Sequence, residues 1–188
     1  AIGLYTTQFS EYLNNNNFEI TILTGFPYYP KWEIPKDYKA KSRFYEENIN
    51  GIRIVRFKQY VPSKVTFLSR ILMILSFNFG LLINLFKLKK SDLVICIVPF
   101  TTNCIVGKLY SVLYKAKFWI HLQDFEYDLL IDSGIGSKKS WITKLFFKIL
   151  LTTERIILNS ADVISTISNS MLNKVHEKSN SKDVFLFP

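Results

Sequence analysis

A histidine and a group of acidic residues at the end of one apolar run are the residues best placed to do chemistry. The run, residues 118–122, contains His121, and Asp124, Glu126 and Asp128 then alternate with aromatic residues. An imidazole at such a position could hydrogen-bond a polar ligand or exchange a proton with it. The carboxylates could coordinate a cation. Helix capping and solvation form the simpler interpretation, which we favour for Glu126 and Asp128.

His121 itself has two interpretations. A histidine in an apolar run is more often a core residue with satisfied hydrogen bonds than a ligand contact. Residues 118–122, however, predict a strand buried on both faces of a parallel sheet. The carboxyl ends of such strands border the crevice in which open α/β sheets bind ligands. Both interpretations stand, and His121 and Asp124 are our candidate catalytic residues.

The amino-terminal part of the chain offers two further features. Gly3 stands at the start of a helix, where backbone N–H groups could receive a phosphate or a sugar, although a single glycine is a weak signal. Tyr28, Tyr29 and Trp32 open a long predicted loop, residues 28–50. These aromatic side chains could stack on a sugar, lie in a lipid interface, or only tether the loop.

A basic helix is predicted over residues 138–158. Lys144, Lys148 and Arg155 share one face, Trp141 lies beside them, and Leu and Ile residues lie opposite. This face is either solvated or attracted to anionic lipid. Nucleic acid is disfavoured because aromatic residues do not interleave with the basic ones along a strand face.

The composition limits the kind of protein. The 188 residues are enough for a substantial core, and 48% are hydrophobic. The net charge of +9 favours an anionic partner such as nucleic acid, anionic lipid or a phosphorylated ligand. Cys96 and Cys104 lie in apolar surroundings and predict reduced core thiols, neither a disulfide nor a zinc site. The chain begins without the basic-then-apolar pattern of a secretory signal.

Strands and helices alternate along the chain. We predict helices at 4–13, 67–88, about 101–114, 138–158 and 169–178, and strands at 18–26, 52–60, 92–99, 118–122, 161–168 and 184–187. Crossover helices between strands predict an α/β, Rossmann-like fold, a mostly parallel sheet with helices on both faces. The strand at 52–60 alternates apolar and polar residues, which places it near a sheet edge.

The helix at 67–88 is the most apolar segment. Its uncharged part, residues 71–86, spans ~24 Å at the α-helical rise, short of the ~30 Å hydrocarbon core of a bilayer. A membrane-spanning helix is therefore disfavoured. The helix is either packed against a sheet with little exposure or dips into a membrane surface, and the sequence leaves that choice open.

Several short segments together resemble a known family. They are 2–6 (IGLYT), 27–32 (PYYPKW), 51–54 (GIRI), 60–62 (YVP), 121–126 (HLQDFE) and 165–171 (STISNSM). In this order they resemble bacterial exopolysaccharide glycosyltransferases of the colanic acid type, in the retaining family four with the GT-B fold. The resemblance implies that residues 1–188 form the amino-terminal, acceptor-side domain, without its first strand and without the carboxyl-terminal donor domain. Such a piece alone is expected to be inactive.

The resemblance also implies roles for individual residues. Gly3 matches the loop near the donor phosphate and the acceptor, and His121 matches the strand-end histidine that contacts the transferred sugar. Asp124 falls in the same crevice. The residues expected to contact the acceptor are Tyr5, Tyr28, Tyr29, Trp32 and Phe125.

The family further implies the partners and the location. We expect a nucleotide-sugar donor, bound through the missing domain, a lipid-linked or oligosaccharide glycan acceptor, and no metal, cofactor or nucleic acid. The basic face (Trp141, Lys144, Lys148 and Arg155) is expected to meet an anionic membrane surface. The protein would be cytoplasmic and peripheral to the inner face of the cell membrane.

Two other functions remain open from the sequence. One is a non-catalytic membrane-surface module built on the two amphipathic helices. The other is a GT-B sugar-nucleotide epimerase, which the strand-end and loop motifs match less well. Neither the donor sugar nor the acceptor can be named from these residues.

Overall fold

A computed structural model describes residues 2–64, 66–98, 101–125, 141–181 and 183–188 of the chain. The chain divides into two compact units, Ala1–Leu88 and Lys89–Pro188. Each unit has its own sheet, and each is described by itself.

The first unit combines a small mixed sheet with helices. Its elements are α1 (Ile2–Asn15), β1 (Thr21–Gly25), α2 (Lys36–Lys39), β2 (Phe44–Ile49), β3 (Ile52–Phe57) and α3 (Phe67–Leu85). The strand order is β1-β3-β2, with β1 parallel and β2 antiparallel to β3. The first helix, predicted over 4–13, extends to Asn15, and Asn17 follows it with a left-handed φ of 65°.

Two predictions about this unit are wrong. The predicted loop at 28–50 contains α2 and β2, and β2 pairs with β3 through a turn at Asn50-Gly51, both with positive φ. Asn-Gly between two strands is the strongest short hairpin signal, and the charged residues of β2 obscured it. The strand predicted at a sheet edge, β3, is the central strand, because β1 covers one side of it and β2 the other.

The second unit confirms the predicted α/β class. Its elements are β4 (Leu93–Val98), α4 (Asn103–Tyr114), β5 (Lys117–Leu122), α5 (Trp141–Asn159), β6 (Val163–Thr166), α6 (Asn169–Lys178) and β7 (Val184–Leu186). The four strands are all parallel, in the order β4-β5-β6-β7, and helices flank them. This is a Rossmann-like arrangement. Residues 138–140 of the predicted basic helix lie outside the described residues.

The core of the second unit lies around the middle strands. Phe118, Ile120 and Leu122 of β5 are buried together with Ile164 of β6. The prediction of core thiols is confirmed, since both cysteines are free, with Cys104 buried and Cys96 half-buried. Burial and a hydrogen bond with the Cys96 thiol raise the pKa of Cys104, which keeps it protonated.

The long apolar helix α3 contacts the rest of its unit through polar as well as apolar side chains. Tyr60 N donates to Ser76 Oγ at 2.9 Å, and Asn84 Nδ2 donates to the Arg56 carbonyl at 3.3 Å. Within the described part of the chain, α3 is the one helix long and apolar enough to cross a membrane. Only 28% of its Leu68–Leu85 segment is buried, so of the two alternatives that the sequence left open, a sheet-packed helix with little exposure is wrong.

Candidate functional site

The candidate site is built on β5, a central strand of the second sheet. Parallel pairing with β4 and β6 sets Ile97, His121 and Ser165 side by side in three neighbouring strands. His121 is one residue from the carboxyl end of β5. The sequence prediction of a strand-end histidine in a buried parallel sheet is therefore confirmed.

The imidazole of His121 is held by a serine on the neighbouring strand. Its Nδ1 lies 2.8 Å from Ser165 Oγ, and Trp119 Nε1 donates to the same oxygen at 2.8 Å. Trp119 and His121 are two residues apart and so point to the same face of the sheet. The indole can only donate, so one lone pair of Ser165 Oγ is taken and its proton is free to point at Nδ1. If the serine donates this proton to Nδ1, the neutral imidazole carries its own proton on Nε2.

The environment of His121 favours its neutral form. The residue is 8% exposed, and the ring of Phe187 stands edge-on with its centroid 5.7 Å away. Burial lowers the pKa of the imidazole, because the charged form loses hydration. At neutral pH, His121 can therefore offer an Nε2–H donor of fixed direction to a polar ligand without adding a charge.

Asp124 and Phe125 follow β5 in opposite environments. Gln123 N continues the strand ladder to the Val98 carbonyl at 3.3 Å. The Asp124 side chain is exposed, and its Oδ1 accepts from Phe125 N at 2.8 Å. Phe125 is 3% exposed in the core, with Lys178 Nζ 4.5 Å from its ring centroid. A direct contact between Phe125 and an acceptor would need this segment to move.

Part of the predicted acidic cluster cannot be placed. Glu126 and Asp128 lie outside the described residues, so their capping and metal interpretations stay predictions. Among the residues that the structure does describe, no three His, Cys, Asp or Glu side chains gather as metal ligands would.

Gly3 and Tyr5 lie on α1 in the first unit. Both are exposed. A Cβ added to Gly3 would meet no atom within 4 Å, so no close packing inside the unit requires a glycine here. The open space beside it is compatible with a ligand approaching the start of the helix, and that role stays a prediction.

The predicted aromatic residues of the 28–32 segment form a small cluster. The rings of Tyr28 and Trp32 are 5.5 Å apart, and Glu33 N donates to the Tyr28 carbonyl at 3.2 Å. Burial raises the pKa of Tyr28, an effect that the charge of Arg70 opposes. Tyr29 is exposed. This cluster supports the tether interpretation and still leaves Tyr29 accessible.

An open depression of about 700 Å³ adjoins the aromatic cluster. Trp32 lines it together with Lys31, Lys39 and Lys58. Lys39 and Lys58 are both engaged, Lys39 with the Glu33 carboxylate at 2.5 Å and Lys58 with the Lys39 carbonyl at 2.8 Å. The depression therefore offers an aromatic edge and basic surroundings to a ligand, without a buried polar group that would fix its orientation.

The predicted basic face of α5 is at the surface. Trp141, Lys148 and Arg155 are exposed, whereas the side chain of Lys144 lies outside the described ones. The expectation that the Leu and Ile residues lie opposite is wrong in part. Leu145, Ile149 and Ile156 are also exposed, because they follow Trp141 at helical spacing on the same side.

Sequence reasoning assigned no role to three side chains around His121. Ser165, Trp119 and Phe187 surround the imidazole. Alternation along β5 could have paired Trp119 with His121. The pairing with Ser165 depends on the register between β5 and β6, which no local pattern specifies.

The whole chain aligns with a curated relative. Over 197 residues it is 32% identical to the protein named "Putative colanic acid biosynthesis glycosyl transferase WcaI" of Escherichia coli (strain K12). The alignment covers 100% of this chain and 46% of WcaI, so the chain spans about half the length of the relative. No family model matches the chain.

Proposed function

We propose that the chain is the amino-terminal, acceptor-side half of a glycosyltransferase that acts in surface polysaccharide synthesis. The observation that carries the proposal is the 32% identity with WcaI over the whole chain. The parallel sheet of the second unit, with a buried histidine at a strand end, agrees with it. We assign the intact protein to the retaining family four with the GT-B fold, with a nucleotide-sugar as donor.

The proposed reaction breaks the bond between the sugar C1 and the diphosphate of the donor. A new bond forms between C1 and an acceptor hydroxyl, whose proton passes to the departing nucleoside diphosphate. His121 donates Nε2–H to a hydroxyl of the transferred sugar and so fixes the ring in the crevice. We propose a further sugar contact for Asp124, which follows the same strand, and, in the first unit, a phosphate contact for the backbone N–H groups near Gly3. Neither a metal nor a cofactor enters this scheme.

The acceptor in this proposal is a glycan, either lipid-linked or an oligosaccharide. Tyr29, next to Tyr28 in the aromatic cluster with Trp32, and Tyr5 on α1 are both exposed and supply surfaces on which a sugar ring can stack. A lipid-linked acceptor places the protein at the cytoplasmic face of the cell membrane. The exposed Lys148 and Arg155 of α5 suit anionic headgroups there.

The test replaces His121 in the intact protein that carries this chain. His121→Ala should reduce the rate of sugar transfer about 100-fold, the usual effect of removing one positioned hydrogen-bond donor. The matched control is His176→Ala, since His176 is the other histidine of the chain and is exposed on α6. Near-normal turnover by the folded His121→Ala protein would remove His121 from the site.

Ser165 tests whether the imidazole must be held in place. Ser165→Ala removes the partner of Nδ1 and should lower kcat about tenfold with little change in donor KM. Ser165→Thr keeps the hydroxyl and should restore part of that loss. If both variants lose activity equally, the serine acts through packing of the sheet, and the positioning role is wrong.

A further inference from the structure

Helix α3 differs from an ordinary surface helix, because its packed side mixes small and polar residues with the buried Met73, Leu81 and Leu85. Ser69, Ser76, Gly80 and Asn84 lie on the side that packs against the sheet, and all but the half-buried Ser76 are buried. Gly80 allows the closest approach, because a Cβ there would lie 2.1 Å from Cδ1 of Phe57. A second set of large apolar side chains remains on the outward side.

These outward side chains form one continuous stripe. Its members are exposed and recur at intervals of three and four residues: Leu68, Leu72, Leu75, Phe79, Leu82 and Phe86. This spacing keeps them on a single face along the whole helix. We call this face the α3 stripe. A contiguous apolar surface of this length marks a contact with another molecule or a membrane.

The charges around the α3 stripe indicate which kind of partner. Residues 48–91 contain eight basic residues and no acidic one. Lys64 and Arg70 are exposed near the start of α3, and Lys87 is exposed at its end. Lys87 Nζ also lies 4.4 Å from the centroid of the Phe44 ring. An apolar stripe with cations at both ends is complementary to a surface whose headgroups are anionic and whose interior is hydrocarbon.

We propose that α3 binds in the plane of an anionic membrane, with the α3 stripe buried at the boundary between headgroups and acyl chains. Such helices sink about 5–10 Å into the interface. A membrane-spanning orientation is excluded by the packing, because α3 would have to leave the sheet and carry Ser69, Ser76 and Asn84 into hydrocarbon. In-plane binding keeps every contact between α3 and the sheet and buries the stripe as well.

The proposal does not depend on the transferase reaction, and its test needs no sugar substrate. The intact protein is floated with vesicles of phosphatidylcholine alone and with vesicles that also contain phosphatidylglycerol. Binding should be stronger with the anionic lipid and should persist in part at high salt, because salt screens the charges and leaves the apolar contact. Binding abolished entirely by salt would contradict an inserted stripe.

A matched pair of variants locates the contact. Leu75 is 61% exposed on the α3 stripe, and Leu4 is 60% exposed on α1 of the same unit. Leu75→Glu should weaken partition into anionic vesicles at least about tenfold, because it removes one buried apolar side chain and adds repulsion. Leu4→Glu adds the same charge and should weaken it much less. Equal effects would overturn the proposal.

A pair of uncharged substitutions distinguishes insertion of the α3 stripe from an effect of the added charge. Leu75→Gln and Leu4→Gln leave the net charge unchanged, and only Leu75→Gln should reduce vesicle binding.

Sedimentation of the protein without lipid tests the other occupant of such a surface, a second copy of the chain. A dimer that Leu75→Gln dissociates, with vesicle binding unchanged, would assign the α3 stripe to self-association and overturn the membrane proposal.

Discussion

The two long helices, α3 in the first unit and α5 in the second, have 19 residues each and use their faces in different ways. In α3, small and polar residues are buried beside Leu81 and Leu85, and a stripe of other Leu and Phe residues faces outward. In α5, Ile157 and Leu158 are buried, and basic and apolar residues share the outer side. The contrast shows that an apolar face alone does not determine which side of a helix packs on its own fold.

Close packing at Gly80 explains how α3 is held against its sheet. Gly80 lets the helix approach Phe57, a contact that no larger residue permits. Two side-chain hydrogen bonds, from Tyr60 N to Ser76 and from Asn84 to the Arg56 carbonyl, add to it. Dense packing and these two hydrogen bonds can together outweigh the burial of a few Leu side chains.

The buried side of α5 contains a charged residue beside its apolar ones. Glu154 is buried, and its Oε2 receives a hydrogen bond from Lys178 Nζ of α6 at 2.8 Å. The same Lys178 lies over the ring of Phe125. One lysine thus joins the inner face of α5 to the segment that follows the candidate site. The two helices should therefore respond differently to matched substitutions.

The largest effect is expected at Gly80. Gly80→Ala places a Cβ 2.1 Å from Cδ1 and 2.6 Å from Cβ of the buried Phe57, so helix and sheet must separate. We expect a loss of about 3 kcal/mol or more in the free energy of unfolding. Chemical denaturation measures it. Gly3→Ala is the control, since open space there should allow a small gain in helix stability. An equally stable Gly80→Ala protein would show that α3 is not held by close fit.

The second expected effect concerns the ion pair between Glu154 of α5 and Lys178 of α6. Lys178→Met leaves the buried Glu154 carboxylate without this cation, which should cost about 2 kcal/mol, since a partly exposed lysine contributes less than a fully buried one. Lys174→Met changes an exposed lysine of the same helix whose Nζ lies 5.9 Å from the centroid of the Phe125 ring, and it should have the smaller effect. Thermal unfolding of both variants measures the difference. Equal melting temperatures would mean that Glu154 is stabilised without Lys178.

The sequence predicted the elements better than their faces. The strand at 118–122 and its histidine were recognisable because a continuous apolar run suits a buried parallel strand. The polar face of α3 was also visible in the helical periodicity, but periodicity does not reveal that Gly80 meets Phe57. That contact joins distant parts of the chain.

The candidate site shows the same limit. His121 could be singled out by type and position, whereas its contact with Ser165 depends on the register of two strands joined by a long crossover. Strand β2 was missed because Glu46 and Glu47 are atypical of strands. They are accommodated by ion pairs with Arg53 and Arg56 of the neighbouring strand, which cannot be read locally.

A smaller effect distinguishes the hydroxyls of the two helices. Ser76→Ala removes the acceptor of the Tyr60 N–H group and should reduce the free energy of unfolding by about 1 kcal/mol. Thr152 is exposed on α5, and Thr152→Ala should be neutral or slightly stabilising because alanine is the better helix former. Denaturant midpoints of the two proteins test the pair. A neutral Ser76→Ala would leave close packing at Gly80 as the main support of α3.

The smallest effects on stability are expected on the outer faces. Leu75→Gln on α3 and Ile149→Gln on α5 each replace an exposed apolar residue, and each should change the free energy of unfolding by no more than about 0.5 kcal/mol. A loss of several times that value for Leu75→Gln alone would mean that the α3 stripe is covered within the intact protein. If both variants keep their stability and only Leu75→Gln loses vesicle binding, the outer face of α3 serves a membrane contact, whereas apolar residues on α5 are ordinary surface.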